Sequence, residues 1–457
     1  MKLAVALTFS ATLSAVPLLA QTNLETNAGV HFNFSTPGAG NLALGGAFLA
    51  LAFDASAAYT NPAGLTTIAA PESLIEGRHW YYTHVFTDRG RLIGNPSVDP
   101  TDFDDHAGLV DGRAENQVTG LSYLSYVYPR DDWSFSLYRH ELVNFKADFS
   151  THGAYLTEDR NRSPRGIPGE TDARLAALRN QMDVSINSYG AAAAYQVGQG
   201  FSLGVTISYY DFAIDSLALR FLPSLFSAPD FTSDPLVNFQ TQRGKDSDWG
   251  VAAGFLWESP RRRWSLGGVY RQGPSFTFQA TNDPGPGTTL PFSRSVQKAA
   301  FHVPDIYGIG LAFQPSDACR VAFDYDRVRY SQLLRGFVDI FNLAALPPVN
   351  PLFPTPPDPE LNRFVIDDTG ELHLGMEYAF LQRWPVLTLR AGGWYEPDHS
   401  LRFEGKNAGF EAVFRRGANL MHYTAGLGLA IRRIQVDAAI DHSDRVSVIS
   451  LSAGFRY

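Results

Sequence analysis

The sequence predicts an all-β protein, a 14-stranded antiparallel transmembrane β-barrel with an N-terminal, partly helical hatch (plug) in its lumen. Three observations predict it. The last thirteen residues alternate like a membrane strand, the connections between alternating segments are long and short by turns, and about fifty residues before the first such segment do not alternate at all.

The terminal strand is Arg445 to Tyr457 (RVSVISLSAGFRY). Tyr457, Phe455, Ala453, Leu451 and Ile449 fall on one face of an extended chain, and Arg456, Gly454, Ser452, Ser450 and Val448 on the other. A soluble sheet with one buried face can alternate the same way. Here the strand ends the polypeptide on an aromatic residue, as strands that close bacterial outer-membrane barrels do, because that ring sits at the membrane interface. The partners this implies are outer-membrane lipid and, through the C-terminal strand, the barrel-assembly machinery.

At the other end, Met1 to Ala20 has an early Lys, an apolar run and small residues, the pattern of a secretory signal cleaved after Ala20. The expected organisation is therefore a signal peptide over 1–20, a hatch over 21–70 and a barrel over 71–457, in a Gram-negative type of outer membrane. No later apolar run reaches 18 residues, which argues against membrane helices. A mean hydropathy of -0.13 is no objection, since half of each membrane strand faces a polar lumen. The single cysteine, Cys319, excludes an internal disulfide framework. A net charge of -9, scattered through predicted loops, argues against nucleic acid. The 32 Phe and 20 Tyr suit interfacial aromatic girdles.

Alternating segments are expected near 72–87, 117–129, 131–149, 186–197, 200–221, 237–258, 262–280, 304–314, 317–332, 371–381, 384–396, 419–432, 433–442 and 445–457. In several, small residues occupy one phase: Gly250, Ala252 and Gly254 interleave with Trp249, Val251, Ala253, Phe255 and Trp257. Such a face admits close approach by other chain segments or a ligand. The connections at Asp88–Asn116, Ser150–Ser185, Leu222–Leu236, Thr281–Val303, Ser331–Gly370 and Pro397–Ala418 are long, and those between them are tight turns. Only His442-Ser443-Asp444 departs from the rule. Short periplasmic turns and long outer loops are the signature of an up-and-down membrane barrel. The stretch Pro347 to Pro359 reads as a stiff outer loop, and Thr171 to Met182 as a short helix in another.

The segment before the barrel is rich in Ala and Leu, and Asn61-Pro62 followed by Gly64 stops any helix. Fourteen strands enclose more space than the eight whose own side chains fill a barrel, so this segment is expected to plug the lumen. A helix outside it would expose apolar surface to water. Leu44, Phe48 and Phe53 are its candidate ligand contacts.

The stretch LALGGAFLALAFDASAAYTNPAGL, with Asn61-Pro62-Ala63, resembles the N-terminal hatch of the FadL-type outer-membrane transporters of long-chain fatty acids and aromatic hydrocarbons. Residues 301–331 and 371–398 resemble strand pairs of the same family. The resemblance implies fourteen strands, a hatch, and passive uptake of hydrophobic molecules that leave sideways through a gap beside a kinked third strand. The same hatch pattern resembles secretion-associated barrels, so a barrel that carries no small hydrophobic substrate is the alternative.

The third segment carries one anomaly. Phe135, Leu137, Arg139, Glu141, Val143 and Phe145 share a phase, apolar except for Arg139 and Glu141. Arg facing lipid near the midplane costs roughly 2–4 kcal/mol. A bulge that turns the pair inward, an extension above the membrane, or a kink at Arg139, His140 and Glu141 that makes the family's lateral opening would each relieve it. No nucleophile elbow, phosphate loop or metal-binding motif is present. His79 and His84 fall on opposite faces of their strand. The expectation is a non-enzymatic monomer without cofactor or metal, whose partner is a hydrophobic small molecule.

Overall fold

A computed structural model describes residues 29–92, 106–159, 170–174, 177–221, 229–286, 294–335, 364–405 and 408–457. The expected signal segment and the Pro347–Pro359 loop lie outside them. The fourteen barrel strands are β1 Glu72–Arg91, β2 Gly108–Arg130, β3 Trp133–Thr151, β4 Ala177–Gly198, β5 Phe201–Phe221, β6 Leu236–Glu258 and β7 Trp264–Arg271. They continue as β8 Ile306–Ser316, β9 Cys319–Val328, β10 Thr369–Ala379, β11 Val386–Glu396, β12 Leu420–Ile431, β13 Ile434–His442 and β14 Val446–Arg456. Each pairs antiparallel with its neighbours in sequence, and β14 closes on β1 with Glu72 opposite Arg456 and Tyr82 opposite Val446. Closure removes the sheet edges that lipid cannot hydrate. Tyr457 locks the seam, its N–H donating to the Pro71 carbonyl at 2.9 Å.

Alternation decides what faces where. On β14, Leu451 is 60% exposed on the outer face, while Ser450 is fully buried against the lumen contents. Trp249 and Val251 of β6 and Leu372, Leu374 and Met376 of β10 extend the outward apolar belt. An apolar band around a closed barrel is what a hydrocarbon surrounding requires.

The long connections add sheet at one rim. Ser275–Pro284 and Ser295–His302 form a hairpin that prolongs β7 and β8 beyond breaks at 272–274 and 303–305. Tyr155–Asp159 pairs with Glu170–Arg174 in the β3–β4 connection. Residues 171–174 and 177–182 are therefore strand, not the expected helix, because they carry β4 and its hairpin above the wall.

The third strand differs from its expected phase. A bulge at Leu142 shifts the register against β4 between Glu141 and Val143. Before the bulge the odd-numbered residues face out; after it Val143 and Phe145 are buried inside. One inserted residue exchanges the two faces of a strand.

Leu451→Arg should destabilise the barrel by roughly 2–4 kcal/mol, measured by denaturant unfolding in lipid vesicles, if the belt faces hydrocarbon.

Candidate functional site

Inside the barrel, residues 29–71 form an irregular hatch with two single-turn helices, Ala39–Leu42 and Ala57–Thr60, and a 3₁₀ segment, Pro62–Thr67. Helices this short leave most of their backbone groups unpaired. The wall completes them. Asp324 of β9 accepts from the N–H groups of Phe48 and Leu49 at 2.6 and 2.8 Å. Glu72 accepts from Ala55 N–H at 3.0 Å, while the Ala55 carbonyl takes the Tyr123 hydroxyl at 3.1 Å. Thr206, Ser265, Arg271 and Thr424 donate to the carbonyls of Ala58, Ala50, Tyr59 and Ala43.

Asn61, Pro62 and Ala63 form one joint in this network. Asn61 is fully buried, and its Oδ1 caps the 3₁₀ segment by accepting from Ala63 N–H at 3.3 Å. Its Nδ2 donates to the Leu49 carbonyl at 2.8 Å and to the Phe255 carbonyl of β6 at 3.0 Å. Pro62 supplies the fixed φ favoured at the first position of such a turn. The small phase of the wall makes room: a Cβ at Gly254 would strike the Asn61 amide, one at Gly267 the Leu49 carbonyl, and one at Gly204 the backbone at Pro62 and Ala63.

Leu44, Phe48 and Phe53, the candidate ligand contacts, border neither of the two large cavities described below. Leu44 and Phe48 are buried, Phe48 in a cluster with Ala55, Tyr59, Leu65, Tyr123 and Tyr138. Phe53 packs edge-on to Phe48 and under the Arg320 guanidinium at 4.8 Å. Leu42, Gly45, Gly46 and Leu49 face the cavity instead.

The wall is split beside β3. Pairing with β2 runs only from Trp133 opposite Arg130 to His140 opposite Tyr123. Beyond that, β2 stays with β1 and β3 stays with β4. The freed groups are satisfied from both sides. Arg139 donates to the Leu121 carbonyl and to the Asn187 side chain, and pairs with Glu141 at 3.5 Å. Arg139 thus reaches across the split, and Glu141 is paired with it along β3. Asn33 of the hatch donates its N–H to the Leu142 carbonyl at 2.8 Å and its Nδ2 to the Glu141 carbonyl and to Ser122. His140 points inward, against Tyr59, with its Nε2 at 2.9 Å from the Asn33 carbonyl. Residues 30–36 therefore lie as a strap across the split. The buried Arg78 holds them, bonding Asn33, Ser35 and the Thr36 carbonyl at 2.6, 2.6 and 2.8 Å.

Besides a void of about 10 Å³ between Asn33, Glu141 and Leu142, two larger cavities adjoin the strap. An outer vestibule of about 440 Å³ is bounded by His84, Phe86, Phe414, Arg415 and Arg445. An inner cavity of about 80 Å³ lies between strap, hatch, β1 and β7–β14. His31, Glu396 and His399 border both. His373, Trp394 and His422, cross-strand neighbours on β10, β11 and β12, stack as one ladder. The sequence reading missed this group, since its members lie on strands that only barrel closure brings to one lumen.

Burial pushes the His31 imidazole down to about 4, with Glu396 opposing the shift. His31 packs on Tyr82 and Phe145.

No protein-family model matches the chain, and neither does any curated protein. Solved structures do. A Pseudomonas aeruginosa FadL homologue superposes with a TM-score of 0.57 at 16% identity, over 93% of this chain and 99% of that one. CymD, a monoaromatic hydrocarbon channel, gives 0.52 at 16%, with the same shares. The P. putida toluene transporter TodX gives 0.50 at 15%, again over 93% and 99%. The fold is that of the FadL-type barrels.

Asn61→Ala should cost about 1–3 kcal/mol, because the Leu49 and Phe255 carbonyls lose their donor in a dry interior. Thermal unfolding in detergent measures it, and ion conductance in planar bilayers should rise as the hatch loosens. A histidine whose folded pKa lies below its unfolded 6.5 withdraws stability as pH falls from 6.5 toward 4. Amide exchange of residues 30–36, corrected for intrinsic rate, should therefore accelerate over that interval and lose this dependence in His31→Phe.

Proposed function

We propose that this FadL-type barrel lets hydrophobic small molecules, in the class of long-chain fatty acids or aromatic hydrocarbons, pass down their gradient across an outer membrane. The observation that carries the reading is the β2–β3 split covered by the strap. A plugged barrel needs no gap in its wall, and a gap facing lipid is costly unless its backbone groups are capped. Here Arg139 caps the outer side and Asn33 the inner side. A molecule would enter the vestibule, pass His31 to the inner cavity, and leave into the bilayer when the strap moves aside. Arg139, His140 and Glu141 mark the lateral exit, and Asn61-Pro62-Ala63 anchors the hatch that blocks the straight route.

No energy source is required. A ligand moves the strap only by binding the displaced arrangement better than the resting one. The solved barrels of the same fold include a toluene transporter and a monoaromatic hydrocarbon channel, which supports apolar cargo.

The test is uptake of labelled hydrophobic compounds, from oleate to single-ring aromatics, by cells with and without the gene. Faster uptake of at least one is expected, and equal uptake of all of them rejects the reading. Deleting the bulged Leu142 should restore β2–β3 pairing and bring uptake down to the level of cells lacking the gene, with the barrel still folded. Undiminished uptake would rule out the lateral route.

A further inference from the structure

The rim of short turns carries a charge for which passage through the barrel has no use. The chain has a net charge of -9, yet six exposed arginines crowd three of these turns. Arg261, Arg262 and Arg263 join β6 to β7, Arg383 lies between β10 and β11, and Arg432 and Arg433 join β12 to β13. Asp317 is the one carboxylate in the four turns of this arc, with Glu258 just inside β6. None of the six arginines has a carboxylate partner among the described residues. Arg263 donates to the Pro315 carbonyl at 2.6 Å, and Arg383 stands 5.9 Å from the centre of the Phe380 ring. The arc from β1 to β5, which holds the split, is different. There Arg130 stands beside Asp131 and Asp132, and Gly198-Gln199-Gly200 is uncharged.

Turn geometry does not call for arginine. Arg262 and Arg432 adopt φ of 49° and 53°, where glycine or asparagine is the relaxed residue. The matching position between β2 and β3 is Asp131, at φ 52°. Charge is therefore placed at this arc against the local backbone preference.

Depth identifies what the charge meets. Trp257, Trp264 and Trp384 flank the same turns, are exposed, and carry the outward apolar belt to its edge. Tryptophan at a belt edge marks the level where hydrocarbon gives way to headgroups. An arginine just beyond it lays its stem along the belt and its guanidinium among phosphates, which it grips through two parallel N–H donors.

We propose that the arc of the short-turn rim from β6 to β13 binds the headgroups of anionic phospholipids, so that the barrel gathers net-negative lipid on the side away from the split. A phosphodiester without a compensating amine completes the unpaired guanidiniums. A zwitterionic headgroup brings its own cation to the same place and gains less. An acidic soluble protein would meet the charge only from the aqueous side, without the tryptophans. The inference is independent of what the barrel carries.

Spin-labelled phosphatidylglycerol and phosphatidylcholine, each as a trace in phosphatidylcholine vesicles holding the full chain, test it. The motionally restricted fraction of each label gives their relative association constant with the barrel. An arginine at the headgroup level favours an anionic lipid about fivefold, which averages to at least about twofold over the whole perimeter. The ratio should fall toward one in about 1 M salt. Arg261→Gln, Arg262→Gln, Arg263→Gln, Arg383→Gln, Arg432→Gln and Arg433→Gln together should bring it to about one at low salt, while Arg130→Gln leaves it unchanged. A ratio of one in the unsubstituted protein overturns the proposal, as does a preference that survives the six substitutions or is lost equally with Arg130→Gln. Polyglutamate binding to the vesicle-embedded chain while the lipid ratio stays at one assigns the rim to an acidic protein and rejects the lipid. The unsubstituted ratio and its salt dependence decide the matter even where the sixfold variant fails to fold.

Discussion

An irregular backbone sealed inside a barrel must have its hydrogen bonds completed by the wall, and most of this structure follows from that constraint. The hatch has too little helix to pair its own N–H and C=O groups, and most of it is buried against the wall. The inward face therefore carries donors and acceptors at fixed heights: Asp324 for Phe48 and Leu49, Thr424 for Ala43, Tyr123 for Ala55. It carries glycine wherever the hatch backbone comes closest, as at Gly254 and Gly267. Polar reach and absent side chains are two answers to one demand, and they alternate around the lumen. Each lost bond leaves a buried group unsatisfied, which costs more than the bond itself contributed.

The same demand makes the strap a weak point by design of its contacts. Its hold on the split consists of a few hydrogen bonds from Asn33 and the Arg78 clamp, not of a continuous ladder. Elsewhere the hatch is tied down by interactions that have no alternative partner, such as the Asn61 joint. The strap is thus the part of the hatch held by the fewest wall contacts of its own.

How much of this the sequence discloses depends on how local the signal is. The alternation of Arg445–Tyr457, the parity of loop lengths, the plugged lumen and the small phase at Gly250–Gly254 are all patterns within short windows, and the architecture is legible from them. The anomaly at Arg139 and Glu141 locates the right turn of β3, but nothing distinguishes Leu142 from an ordinary strand leucine, so Val143 and Phe145 read as outward when the bulge turns them in. In the hatch, turns in a chain without periodicity decide orientation, so Leu44 and Phe48 pack against the wall while Leu49 borders the inner cavity. The ladder of His373, Trp394 and His422 is invisible in one dimension, because alternation shows that each points inward and not that they meet. Alternation also constrains chemical class and not identity, which is why a fold can persist at 16% identity.

The seam between β1 and β14 joins Glu72 to Arg456, with nearly the whole chain between them. A pairing so remote in sequence is slow, since the entropy of closing the ring is lost before any of its bonds form. Until that moment the barrel is a sheet with two bare edges, able to add strands from any neighbour. The hatch precedes β1, and its contacts with Ser452 and Glu72 flank the seam. Gathering the hatch in before the last pairing lets Ser452 and Glu72 meet it while the sheet is still open. Maturation of this molecule is therefore an ordered event, in which the final strand both completes the wall and encloses the contents.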